Sequence, residues 1–284
     1  MALATHDLGG RGPTLVMAHA TGFHGLVLGP LARALAPHLA CIAFDARGHG
    51  ATVLPPGAVL DWYGLAADAA AVADAAAAMA GHGSDGHPGA RPLGFGHSSG
   101  ATALLLAEQA RPGTFAGLYC YEPVLVAADP PLGRDPESWL AEAARRRRRH
   151  FASRLDALAH LRSRPALGDL HPEALRAYVD HGLAEEPDGT VALRCGPEVE
   201  AALYETATAH DAWPRLGEVT CPVTVGWGSA SDAGDPGAAE DHARRLGRGR
   251  AVVLDGLGHL GPLEAPEAVA ASVTQALLSP APGP

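Results

Sequence analysis

One stretch constrains this chain more than any other: Leu93-Gly94-Phe95-Gly96-His97-Ser98-Ser99-Gly100, followed by the apolar run Ala101 to Ala107. It reads as a short buried strand, a sharp turn and a helix, with Gly96-His97-Ser98-Ser99-Gly100 matching the pattern G-x-S-x-G. A serine projecting from such a turn sits in a strained backbone conformation, and the residues two before and two after it meet where strand and helix cross. Only very small side chains fit there, hence Gly96 and Gly100. The turn aims Ser98 above the sheet and the Ser99 backbone N–H at the place where an oxyanion would form. In a chain with 35 glycines the pattern alone is weak, and its context and partners must carry it.

The surrounding sequence supplies that context. Thr14–Ala18, Ala40–Phe44, Gly117–Tyr121, Cys221–Trp227 and Ala251–Leu254 read as buried strands, with one short strand inside Met1–Gly12. Helical patterns lie between them, at about Leu28–His38, Trp62–Ala80, after Ser98, near Pro236–Leu246 and after Pro262, and a loose surface loop follows Gly81. The spacing predicts an α/β protein with a doubly wound, mostly parallel sheet. From Val124 to Arg215 no buried strand is evident and three helical patterns appear instead, near Glu137–Leu161, Pro172–Gly182 and Pro197–His210. The expected organisation is a core of residues 1–123 and 216–284 with an inserted helical cap at 124–215.

Composition narrows the partners. With 31 acidic against 21 basic residues there is no general attraction for nucleic acid. No apolar run reaches the roughly 18 residues that a membrane span needs, and the N-terminus carries no signal pattern. Cys41, Cys120, Cys195 and Cys221 are widely spaced and read as reduced core residues of a cytoplasmic protein. The expected partner is a small-molecule substrate, with the chain a monomer or homodimer.

Catalytic groups in open α/β sheets gather at the carboxyl ends of the strands. His259 follows the last strand, as a general base reaching Ser98 should. Asp232 follows the preceding strand and is the first choice to orient His259; Glu122, ending the strand after the Ser98 helix, is the alternative acid. The loop His19-Ala20-Thr21-Gly22 would supply a second oxyanion N–H from Thr21 beside that of Ser99. His19, His24, His49 and His97 match no zinc spacing and are read as structural or pocket-lining, His24 and His97 on the substrate side. No metal or other cofactor is required. Asp45 and Arg47 are expected to pair and stabilise their turn.

Together, His19–Gly22, Asp45-x-Arg47-Gly48-His49-Gly50, the G-x-S-x-G turn, and Gly258-His259 followed by Leu263-Glu264-x-Pro266-Glu267 resemble the α/β-hydrolase superfamily. The resemblance covers nearly all of the chain except the cap. Relatives that open epoxides or remove halides carry an aspartate where this chain has Ser98, so the resemblance implies an acyl-enzyme chemistry on an ester, thioester or lactone. Two other readings stay open: hydrolysis of a carbon–carbon bond in a diketone, and a ligand receptor on the same scaffold.

Arg145 to Arg149 form a run of five arginines. On a helix they would cover every side, with Arg147 inside the apolar stripe of Leu140, Ala144, Phe151, Leu155 and Leu158. There Arg147 either pairs with a cap or core carboxylate, or faces the pocket and receives a substrate carboxylate or phosphate.

Overall fold

The computed structural model describes residues 1–81, 91–126 and 138–279; the loop expected after Gly81 and part of the start of the expected cap lie outside them. Its strands are β1 (Thr5–Gly10), β2 (Thr14–Ala18), β3 (Ala40–Phe44), β4 (Leu93–His97), β5 (Gly117–Tyr121), β6 (His150–Phe151), β7 (Leu183–Glu185), β8 (Val191–Leu193), β9 (Val223–Gly228) and β10 (Gly249–Leu254). Seven of them build one sheet in the order β1-β3-β2-β4-β5-β9-β10. All neighbours in it run parallel except β1, which pairs antiparallel with β3 at the edge.

Period-two alternation explains why the strands read as unbroken apolar runs. Leu15 and Met17 of β2 and Phe95 of β4 face a core completed by Leu31 and Leu35 of α1 (Gly29–Leu35). Val16 and Ala18 face the opposite core, filled by Leu65 and Ala69 of α2 (Trp62–Gly81) and Leu104 and Leu105 of α3 (Ser99–Ala110). Helices thus cover both faces, and the central strands must be apolar on both. Burying one such leucine or valine contributes about 1.5–3 kcal/mol. All four cysteines are free and buried in this packing.

Between β5 and β9 lie α4 (Trp139–Arg145), α5 (Arg154–Arg162), α6 (Pro165–Gly168), α7 (Pro172–Gly182) and α8 (Pro197–Glu205). The insertion is not wholly helical, because β6, β8 and β7 form a small antiparallel sheet. Strands of two or three residues are too short to show a period in the sequence. α9 (Gly237–Arg245), α10 (Gly261–Glu264) and α11 (Pro266–Leu278) complete the core, with Val269 and Val273 of α11 packing on the β2–β4 side.

The arginine run is not one helix. α4 stops at Arg145, and Ser153 caps a new helix by accepting the Asp156 N–H. Four of the five arginines find separate carboxylates: Arg145 pairs with Glu198 and Glu205, Arg146 with Glu142, Arg147 with Glu200 and Arg148 with Asp156. The expected Asp45–Arg47 pair is also absent. Arg47 binds Asp68 through two contacts of 2.8 and 2.9 Å, while Asp45 accepts the N–H groups of Gly25 and Ala51, each at 2.7 Å. Asp45 joins two turns, and a carboxylate with two backbone donors has no need of a guanidinium.

Candidate active site

β4 leads into the turn, where Ser98 adopts φ 54° and ψ −119° immediately before α3. Such a conformation costs a non-glycine residue about 1–3 kcal/mol and persists only where the surroundings over-determine it. Here the surroundings are backbone. A Cβ on Gly96 would fall 2.4 Å from the Ala101 Cα, and one on Gly100 would fall 2.5 Å from the carbonyl oxygens of both Ala18 and His19. The helix therefore begins directly against the end of β2. Gly100→Ala is expected to lower stability by about 1–3 kcal/mol through overpacking. Denaturant midpoints will show it, and an unchanged midpoint would mean that the β2 end yields freely.

Among the described residues, the only other non-glycine residue with a left-handed φ is Glu122, at 43°. It follows β5 as Ser98 follows β4. Its buried carboxylate is fully engaged: Oε1 accepts the Gly228 N–H at 2.8 Å, and Oε2 accepts the Ser231 hydroxyl at 2.7 Å and His259 Nδ1–H at 2.6 Å. A carboxylate only accepts, so the neutral His259 ring must carry its proton on Nδ1, leaving Nε2 as a base. Asp232, the first choice from the sequence, is exposed and makes no hydrogen bond to His259. The loop after β9 contributes Ser231 instead, whose hydroxyl braces Glu122. The structure thus corrects the pairing from Asp232 to Glu122.

His259 stands beside the Ser98 turn. Its ring centroid is 5.1 Å from that of His97, the residue before Ser98. Ser98 Oγ itself forms no hydrogen bond with His259 here, and such bonds commonly tighten only around a substrate. Thr21 and Ser99 are joined, the Thr21 hydroxyl donating to Ser99 Oγ at 2.9 Å. The loop before Thr21 is held by His19, whose Nδ1–H donates to the Ala20 carbonyl at 2.8 Å while Nε2 accepts the Ala46 N–H at 3.0 Å. Burial lowers the His19 pKa, in keeping with that neutral tautomer. Among the described residues, no three His, Cys, Asp or Glu side chains converge as metal ligands would.

Residues 15–272 match the sequence profile of the alpha/beta hydrolase family. The chain belongs to the alpha/beta hydrolase family. Solved structures agree in fold. The peroxisomal alpha-beta-hydrolase Lpx1 from Saccharomyces cerevisiae is similar over 99% of this chain and 83% of its own, with TM-score 0.79 and 20% identity. E-2-(acetamidomethylene)succinate hydrolase is similar over 98% and 95%, with TM-score 0.78 and 22% identity. A thermophilic esterase from Thermogutta terrifontis is similar over 96% and 92%, with TM-score 0.67 and 22% identity. None of the curated proteins compared matches the chain.

In this alpha/beta hydrolase, two of the three residues read towards substrate, His97 and Arg147, are engaged by protein groups. His97 is wholly buried and bonded to the His259 backbone. Arg147 forms an ion pair with Glu200, itself buried, and donates from Nη2 to the Tyr178 hydroxyl at 2.6 Å. This is the structural alternative, a guanidinium matched by a carboxylate of the insertion. The pair lies over the Thr21 loop, since a Cβ on Gly22 would be 2.9 Å from Glu200 Oε1 and 3.3 Å from Arg147 Nη1. Removing one partner strands the other charge, so Arg147→Met is expected to cost about 3 kcal/mol. A melting temperature equal to that of the unaltered protein would contradict this.

His24 is buried under α7, its ring 6.1 Å from Tyr178 and 6.2 Å from His181, with neither ring nitrogen hydrogen-bonded. Burial lowers its pKa to about 3, and His49 falls to about 3 for the same reason. Because the unfolded chain binds protons near 6.5 and the folded chain does not, stability is full above pH 6.5 and falls as pH drops from there towards 3. Unfolding midpoints should decline across that window, and less steeply in His24→Phe. Parallel declines in the two proteins would contradict the assignment to His24.

Proposed function

We propose that the protein is a serine hydrolase acting on an ester, thioester or lactone of a small-molecule metabolite. Ser98 is the nucleophile, His259 the general base and Glu122 the acid that orients it. The observation that carries this reading is the meeting of two strained strand ends: Ser98 at φ 54°, and Glu122 at φ 43° with its Oε2 2.6 Å from His259 Nδ1. Strain of this kind gathers at working sites.

In the proposed cycle His259 Nε2 takes the Ser98 hydroxyl proton as Oγ attacks the substrate carbonyl. The resulting oxyanion is received by the N–H groups of Thr21 and Ser99, the latter at the N-terminus of α3, where the helix dipole also favours negative charge. The imidazolium is stabilised by Glu122 and then gives its proton to the departing alcohol or thiol. Water, deprotonated by His259, releases the acid from Ser98. Among the similar structures, the name of the thermophilic esterase fits such chemistry.

Rapid mixing with a p-nitrophenyl ester tests the scheme. A burst of nitrophenol approaching one equivalent per chain is expected, with the acyl group found on Ser98 by mass spectrometry. Turnover with no serine adduct under any quench would contradict it.

A further inference from the structure

The middle residue of the Gly96-His97-Ser98 turn is left without a task by this scheme, yet its surroundings are specific. His97 is wholly buried, and its Nε2 lies 2.8 Å from the carbonyl oxygen of His259. A carbonyl only accepts, so the proton is on Nε2, and burial pushes the His97 pKa well below its ordinary value, in keeping with a neutral ring. Nδ1 has no partner. Tyr121, the last residue of β5, packs edge-on against this ring at 5.7 Å and donates its hydroxyl to the carbonyl of Gly258 at 2.7 Å. Two consecutive carbonyls, those of Gly258 and His259, are thus gripped by side chains from the ends of two adjacent strands. Gly261 is part of the arrangement, because a Cβ there would fall 2.3 Å from the Tyr121 hydroxyl.

We infer that His97 and Tyr121 are positioning residues, which fix the backbone of the loop carrying His259 so that its imidazole meets Ser98. The inference rests on the proposed catalytic role of Ser98 and His259. Glu122 holds the His259 ring by one nitrogen, which leaves the ring free to swing about that bond unless the main chain behind it is also fixed. The neighbours on the two strands supply that second hold: His97 precedes Ser98, and Tyr121 precedes Glu122. Each strand end therefore delivers one reacting or orienting group and one clamp on the base. A misplacement of about 1 Å in a reacting group can cost on the order of 100-fold in rate.

The test compares His97→Leu, His97→Gln and Tyr121→Phe with the unaltered enzyme on a p-nitrophenyl ester, each checked for folding by thermal melting. Glutamine Nε2 can take the place of the histidine Nε2–H, whereas leucine cannot donate. The leucine variant is expected to lose roughly 10- to 100-fold in kcat with KM within about twofold, since uniform binding is untouched. Glutamine should restore most of the rate, and Tyr121→Phe should lower kcat in the same sense. A folded His97→Leu with normal kcat, or a His97→Gln as slow as His97→Leu, overturns the inference. Should the leucine variant fail to fold, a normal kcat in Tyr121→Phe overturns it. If Ser98→Ala keeps the full rate, the proposed function beneath the inference falls; if Ser98→Ala is inactive while these variants are normal, the inference alone falls.

Discussion

Ser98→Ala is expected to lose roughly a million-fold in kcat, because removing the nucleophile of such a site costs about as much as removing the whole triad. What remains is the residual acceleration, about a thousand- to ten-thousand-fold over water, that oxyanion donors and substrate binding supply without a nucleophile. Folding should survive. Alanine shares the strain of the left-handed φ of 54°, so the change removes only the hydroxyl. Steady-state hydrolysis measured beside a melting curve checks both halves. A rate within tenfold of the unaltered protein would remove Ser98 from the chemistry.

Glu122→Gln is expected to lower kcat by about ten-thousand-fold. The amide cannot stabilise the imidazolium, and its NH2 would donate to Nδ1, turning the ring to the tautomer with its proton on Nε2 and nothing to offer Ser98. The Gly228 N–H and the Ser231 hydroxyl both point at this carboxylate at 2.8 and 2.7 Å, and an amide can serve at most one of them as acceptor while facing His259 with the other group. Some stability is lost with the rate. Asp232→Asn, on an exposed loop residue, should change kcat by less than about twofold, as surface substitutions away from special features seldom exceed ±0.5 kcal/mol. A larger loss in Asp232→Asn than in Glu122→Gln would reverse the assignment.

The contrast between these two acids marks how far the sequence could be read. Apolar runs bounded by turns located β2, β3 and β5 to the residue, because strands covered on both faces must be apolar throughout. The turn at Ser98 was legible from Gly96 and Gly100, since backbone meeting backbone leaves no room for a Cβ. Which acid reaches His259 was not. Both candidates follow strands, and the choice depends on Glu122 taking a φ of 43° and on Ser231, not Asp232, turning inward. A glutamate has no propensity that announces a left-handed backbone. The arginine run misled for a related reason. Periodicity suggested a single helix, whereas the carboxylates that part the run, Glu198, Glu200 and Glu205, lie some fifty residues away on α8, where only the tertiary fold brings them near. The apolar stripe leaves Arg147 either paired with a carboxylate or facing substrate, and the structure pairs it with Glu200; His97, read as lining the pocket, meets the His259 carbonyl instead.

The most direct test of the central claim is the rate at which a fluorophosphonate labels the protein, with the adduct mapped by peptide mass spectrometry, in the unaltered chain, Glu122→Gln and Asp232→Asn. The probe needs only an activated serine and an oxyanion site, so it requires no knowledge of the natural substrate. A single adduct on Ser98 is expected, formed at least about a hundred-fold more slowly in Glu122→Gln and at the unaltered rate in Asp232→Asn. An adduct on another serine, or labelling slowed by Asp232→Asn and untouched by Glu122→Gln, would contradict the account.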